Sequence, residues 1–238
     1  MKRQQSGFTL VEIAIVLVII GLLLGGILKG QEMINQAKIK NVISDFNGIA
    51  SALYGYSDRY RQLPGDDINA ITRWTQSALV ACGTLQGDGI IEGTYNAPGS
   101  TLQETDCFWQ DLRNAGFVAG PGTGPSSLLQ PTNAASSMIG VQTGNGGGGS
   151  ATITPVMAPT SGGGGFSSLM MCSTGLPDKI AIAVDVQMDD GVNFSGTMRG
   201  QGAAGASVAI QPTVSTTAGT PDFYAETGSN TYTICKTM

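Results

Sequence analysis

Glu12 is an ionisable side chain inside a run, FTLVEIAIVLVIIGLLLGGIL, which extends from Phe8 to Leu28 and is interrupted only by Thr9 and Glu12. A carboxylate in a membrane-length helix is costly in hydrocarbon and is tolerated where a specific partner answers it. Gly7 and Phe8 stand at the entrance to this run, one helical turn before Glu12. A cut between Gly7 and Phe8 releases an α-amino group at that distance. Within one chain, or between neighbours offset by a turn, amine and carboxylate then neutralise each other. If the chain is cut there, the chemistry open to these residues is ion pairing.

A second acidic group is Asp66, Asp67, Asp88 and Glu92. Calcium takes several oxygen ligands from one loop or from neighbouring loops, so these four are the candidate metal ligands, and Ca²⁺ is the one cofactor considered. Their spacing is not that of an EF-hand, and Asp-Gly is ordinary turn composition, so a solvated turn without cofactor is the competing reading. Asp185, Asp189 and Asp190 suggest paired carboxylates, but the last two run into Gly191 and read as a turn.

The chain has no histidine, which removes the commonest general base and a favoured zinc ligand, and with them any Ser/His/Asp set. Its glycine runs lie in polar low-complexity sequence, not between a strand and a helix where a phosphate loop would sit. Trp74 and Trp109 read as core residues. An enzyme is not expected. The net charge of −5 and the scarcity of grouped Lys and Arg leave no nucleic-acid site evident.

Four cysteines, Cys82, Cys107, Cys172 and Cys235, are widely spaced with no C-x-x-C pair. An even count beyond a membrane-directing segment fits two disulfides in an oxidising compartment. Three pairings are open; Cys82–Cys107 and Cys172–Cys235 are favoured because each joins nearest partners along the chain.

The apolar run has about the length that spans a bilayer as a helix. Lys2 and Arg3 precede it as a short positive leader, and the small residues Ser6-Gly7 lie before the run, not after it as in a secretory signal. In these features Gly7-Phe8-Thr9-Leu10-Val11-Glu12 resembles the class III signal of type IV pilins and type II secretion pseudopilins. The resemblance implies that Gly7 precedes the cut made by a prepilin peptidase and that Phe8 is the first mature residue and is N-methylated. It also implies that Glu12, fifth from Phe8, registers subunits and recruits Phe8 for methylation. Gly21 and the Gly25-Gly26 pair weaken the helix, consistent either with close helix contact or with a stretch that melts on leaving the membrane. Where many pilins carry a proline shortly afterwards, this chain has Lys29.

These residues must be positioned by a long helix. Beyond Lys29, Ile34, Ala37, Val42, Phe46, Ile49, Leu53 and Tyr56 recur at three- and four-residue steps. One helix is expected from about Phe8 to Tyr60, ended by Leu63-Pro64-Gly65, a stretch also common in pilin-like proteins. The expected organisation is a leader at 1–7, a transmembrane or filament-core helix at 8–30, an amphipathic half at 31–61 and a globular head at 62–238. In the head, a helix is expected over Ile68 to Ala81. A second is expected after the Thr101-x-x-Glu104 capping box, running to Gly116 and carrying Cys107. The Gly-, Ser- and Thr-rich stretch at about 137–165 reads as an irregular surface loop. Ile180, Ile182, Val184, Val186 and Met188 alternate with Lys179, Ala181, Ala183, Asp185 and Gln187. With the turn at Asp189-Asp190-Gly191 and a resumed alternation at Val192, Phe194 and Met198, this predicts a β-hairpin. A last strand is expected around Tyr232 to Cys235. The fold class is α+β: a long N-terminal helix packed on an antiparallel sheet, as the resemblance also implies.

The expected function is therefore that of a structural subunit of a type IV pilus-like filament, serving adhesion, motility or DNA uptake. The alternative is a pseudopilin of a secretion system, and a third reading is a membrane-anchored periplasmic domain that never polymerises. The implied partners are copies of the chain itself, the prepilin peptidase/methyltransferase, an inner-membrane assembly platform with its ATPase, and membrane lipid before assembly. The positive leader places the precursor in the inner membrane with its N-terminus in the cytoplasm; the filament is extracellular, or periplasmic for a pseudopilus.

Overall fold

The computed structural model describes residues 9–74, 87–97, 103–122, 124, 128–147, 152–203, 209–220 and 222–238. The first element is the helix α1, Leu10–Tyr60, of 51 residues. Two units divide the chain, 1–38 and 39–238.

In the first unit, α1 is long and apolar enough to cross a membrane by length and composition. Its large side chains from Leu10 to Leu28 are all exposed. An all-round apolar surface has no polar face to give to water, so this segment requires lipid or protein around it. Ile34 and Ala37, expected on the packing stripe, are also exposed.

In the second unit, the buried face of α1 is Ile39, Val42, Phe46, Ile49, Ala52, Leu53 and Tyr56, at the three- and four-residue steps of a helix stripe. The helix ends after Tyr60. Arg61 takes the left-handed conformation at φ 58°, with its N–H still bonded to Ser57 O, and Pro64 then bars any continuation. A one-turn helix, α2 (Ala70–Arg73), follows. The helix expected to reach Ala81 falls partly on 75–86, outside the described residues. The helix α3, Glu104–Asn114, carries Glu104 and Asp106 in its first turn, where carboxylates favour the helix dipole. Its N-cap is Gln103, without a side-chain cap bond, and Thr101 of the expected capping box lies outside the described residues.

The sheet has four strands, in the order β1 (Ile139–Thr143), β3 (Leu169–Pro177), β6 (Thr231–Thr237), β4 (Met198–Gly202), and each neighbouring pair is antiparallel. A short parallel pair, β2 (Ala158–Pro159) with β5 (Thr213–Val214), stands apart. The alternation of strand side chains builds two cores. Ile139, Val141, Met171, Tyr232 and Ile234 join α1, α3 and the helix α4 (Asp178–Met188) on one face. Met170, Cys172 and Cys235 join Tyr95, Val156, Met157 and Phe166 on the other. Arg199 of β4 fixes the second layer: its guanidinium donates to Met157 O and Gly164 O and lies over the Phe166 ring.

The α+β class with a long N-terminal apolar helix and an antiparallel sheet is the one expected. Two head expectations are corrected. The hairpin over 180–198 is instead α4, a loop, and β4. Alanine at 181 and 183 is not a polar strand face; it is the best helix former. Ile180, Ala181 and Val184 pack inward at helical spacing, and Val186, placed on the inner face by alternation, is 60% exposed. The Gly-rich stretch is also not loop throughout, because β1, buried at every position, and β2 lie inside it.

Candidate functional site

The site begins where α1 begins. Thr9 precedes the first helical residue, Leu10. Its N–H donates to Glu12 Oε2 at 2.8 Å, its hydroxyl donates to the same oxygen at 2.7 Å, and Glu12 N–H returns a bond to Thr9 Oγ1 at 3.3 Å. This is a reciprocal capping box, two backbone donors of the helix start satisfied by two side chains. Glu12 thus has a partner within its own chain. In the sequence Thr9 stands out only as a break in the apolar run; the Ser/Thr-x-x-Glu spacing that marks a capping box at Thr101 is the signal that joins it to Glu12. Gly7 and Phe8 lie outside the described residues. The arrangement presents one carboxylate, held in position by Thr9, on a helix whose following residues are exposed and apolar.

Compared with family models, residues 2–28 match the prokaryotic N-terminal methylation motif. The chain carries a class III prepilin signal. This signal covers about a tenth of the chain and marks type IV pilins and pseudopilins, which are structural proteins, not enzymes. No curated protein and no solved structure matches the chain. The motif and the single apolar helix fit inner-membrane anchoring of the prepilin before assembly, and the motif implies processing by a prepilin peptidase and assembly into filaments.

The head acids are held by donors from neighbouring segments. Asp66 is buried and its two oxygens take Gly87 N–H at 2.6 Å and Gly89 N–H at 2.7 Å. Burial pushes its carboxyl up, with those two N–H groups opposing. Asp67, fully buried, takes the Tyr56 hydroxyl at 2.7 Å, the Asn69 N–H at 2.9 Å and the Arg73 guanidinium. Asp88 Oδ1 takes Ile90 N–H at 2.9 Å, and Glu92 N–H is bonded to the Glu104 carboxylate. Asp67 therefore ties α2 to Tyr56 of α1, Asp66 draws Gly87 and Gly89 to the turn after α1, and Asp88 closes its own turn onto Ile90. Among the described residues, the three carboxylates brought within reach of one another are Asp185, Asp189 and Asp190. Asp185 takes Tyr224 hydroxyl and Gly191 N–H, Asp189 takes Met198 N–H, and Asp190 takes Val192 N–H and the Ser195 hydroxyl. Burial pushes the Asp185 carboxyl up to about 6.

Cys172 and Cys235 are bonded to each other as direct register partners of β3 and β6. Cys107 is also disulfide-bonded; Cys82 lies outside the described residues.

Proposed function

We propose that the mature chain, cut between Gly7 and Phe8 and methylated at Phe8, is a structural subunit of a type IV pilus-like filament. The observation that carries this reading is an acid fixed at the head of an exposed apolar helix inside a methylation motif. Before assembly, lipid surrounds the apolar segment. In the filament the same surface packs against copies of itself, so burial by protein replaces burial by lipid. Glu12 registers each subunit by meeting the Phe8 amine of a neighbour; Thr9 keeps the carboxylate aimed outward until that amine arrives. The peptidase, the assembly platform and its ATPase supply cutting and lifting. The reading needs no cofactor; calcium bound at Asp66, Asp67, Asp88 and Glu92 would have to compete with the N–H, hydroxyl and guanidinium donors already on the first three.

The sheet supports growth through helices and not through strand addition. At the β4 edge, Met198, Gly200 and Gly202 N–H groups are taken by Asp189, Asn193 O and Asp222. At the β1 edge, Ile139 N–H is bonded to Pro131 O, while Gln142 and Thr143 side chains accept from Tyr95 and Ile91. Edge N–H groups already bonded in this way are not open to a neighbouring strand. The large head, 62–238, favours a pilus over a pseudopilus. Glu12→Ala is expected to insert and be cleaved but to leave sheared surface fractions nearly empty of the subunit. Wild-type filament yield from that variant removes the registration role. Filaments confined to the periplasm assign the chain to the pseudopilins instead.

A further inference from the structure

Two buried acids, Asp67 and Asp111, lie at the turn after α1. Gly65 N–H donates to Asp111 Oδ2 at 2.8 Å, joining the turn to α3. Asp111 is 2% exposed and Asp67 0%. Among the described residues, the cation facing them is Arg73 of α2, and it pairs with Asp67. From α1, Tyr56 contributes a hydroxyl bonded to Asp67, which donates and cannot neutralise. Of the other buried carboxylates on these segments, Asp66 and Glu104 are engaged by backbone N–H groups of Gly87, Gly89 and Glu92, and Asp106 lies in the first turn of α3. Two buried acids with one guanidinium leave a charge that the interior does not balance, and a proton is the least costly way to balance it.

We propose that Asp111 is a proton-operated latch: protonated, it holds the Leu63–Asp67 turn against α3, and ionised, it sets a second buried anion beside Asp67 and loosens the turn. Burial is the main cause that pushes the Asp111 carboxyl up, to about 7; the Gly65 N–H opposes it, Asp67 adds to it and Arg73 opposes it. The folded chain thus holds this proton where the unfolded chain, near 3.8, has released it. The contribution to stability is complete below the unfolded value and is lost as pH rises through about 7. The turn closes the end of α1 onto α3, so a subunit head exported into alkaline surroundings is looser there than one in neutral or acidic surroundings.

The test uses the full mature chain in detergent micelles, wild type and Asp111→Asn, with denaturant unfolding at pH 5 to 8.5. Asn keeps an acceptor for Gly65 and has no proton to lose. The ratio of wild-type to variant folding constants is expected to fall by about a hundredfold across that range; Asp185, common to both, cancels. A ratio constant with pH overturns the latch. Should the variant not fold, backbone hydrogen exchange of the wild-type 62–67 segment serves in its place. Exchange that accelerates above pH 7 beyond its intrinsic rate supports the proposal, and exchange that follows the intrinsic rate overturns it.

Discussion

Gly65 and Gly89 have nearly the same backbone, φ +88° and +83°, in opposite surroundings. A Cβ on Gly65 would lie 2.4 Å from Glu104 O and 3.0 Å from Phe108 N, both backbone atoms of α3. A Cβ on Gly89 would meet nothing within 4 Å. The left-handed conformation costs an L residue about 1–2 kcal/mol, and the smaller unfolded-state freedom of alanine returns about half of that. Gly89→Ala is therefore expected to lose about 1 kcal/mol. Gly65→Ala carries the same backbone cost plus the clash, about 1–3 kcal/mol for overpacking against atoms that cannot rotate away. Its expected loss is about 3 kcal/mol, a large share of the roughly 5–15 kcal/mol that hold an ordinary domain. Denaturant unfolding of the full chain in micelles measures both. Equal losses for the two variants would refute the claim that the turn is wedged onto α3.

Two further outcomes follow from the head. Tyr56→Phe removes the hydroxyl from Asp67 while keeping the ring, and it is expected to cost about 2 kcal/mol, the scale of a buried hydrogen bond to a charged group; a denaturation midpoint equal to wild type would show that Arg73 and Asn69 suffice. Replacing Cys172 and Cys235 together by alanine opens a crosslink spanning 63 residues. The chain-entropy relation gives about 4 kcal/mol for a loop of that size. Unfolding of the double variant under oxidising conditions checks it, and a loss under about 1 kcal/mol would contradict a stabilising role for this bond.

How much was legible depended on whether a pattern had one physical solution. The α1 stripe had one, since Val42, Phe46, Ile49, Leu53 and Tyr56 share a face only in a helix. Glu12 was legible because a carboxylate among apolar residues has few tolerable explanations. Its bond to Thr9 went unread although its spacing was visible. The 180–188 segment had two solutions: alternate apolar residues separated by alanine satisfy a strand or a helix, and the packing of Ile180, Ala181 and Val184 into the core decides. Tertiary contact overrode the period. The central strand β3 was not read at all. Leu169 to Pro177 is covered on both faces, so its polar residues Ser173 and Thr174 are buried and no alternation marks it. The acids Asp66 and Asp67 read equally as ligands or as turn acceptors. Their donors, Gly87, Gly89 and Arg73, come from segments whose approach only the fold determines.

In the proposed function Phe8 becomes the first residue of a chain whose apolar helix then leaves the membrane. Intact-mass measurement of the protein recovered from sheared surface filaments reads this directly. The predicted species lacks residues 1–7, begins at Phe8 and carries one added methyl group on its amine. A chain that still begins at Met1 in assembled material would contradict it.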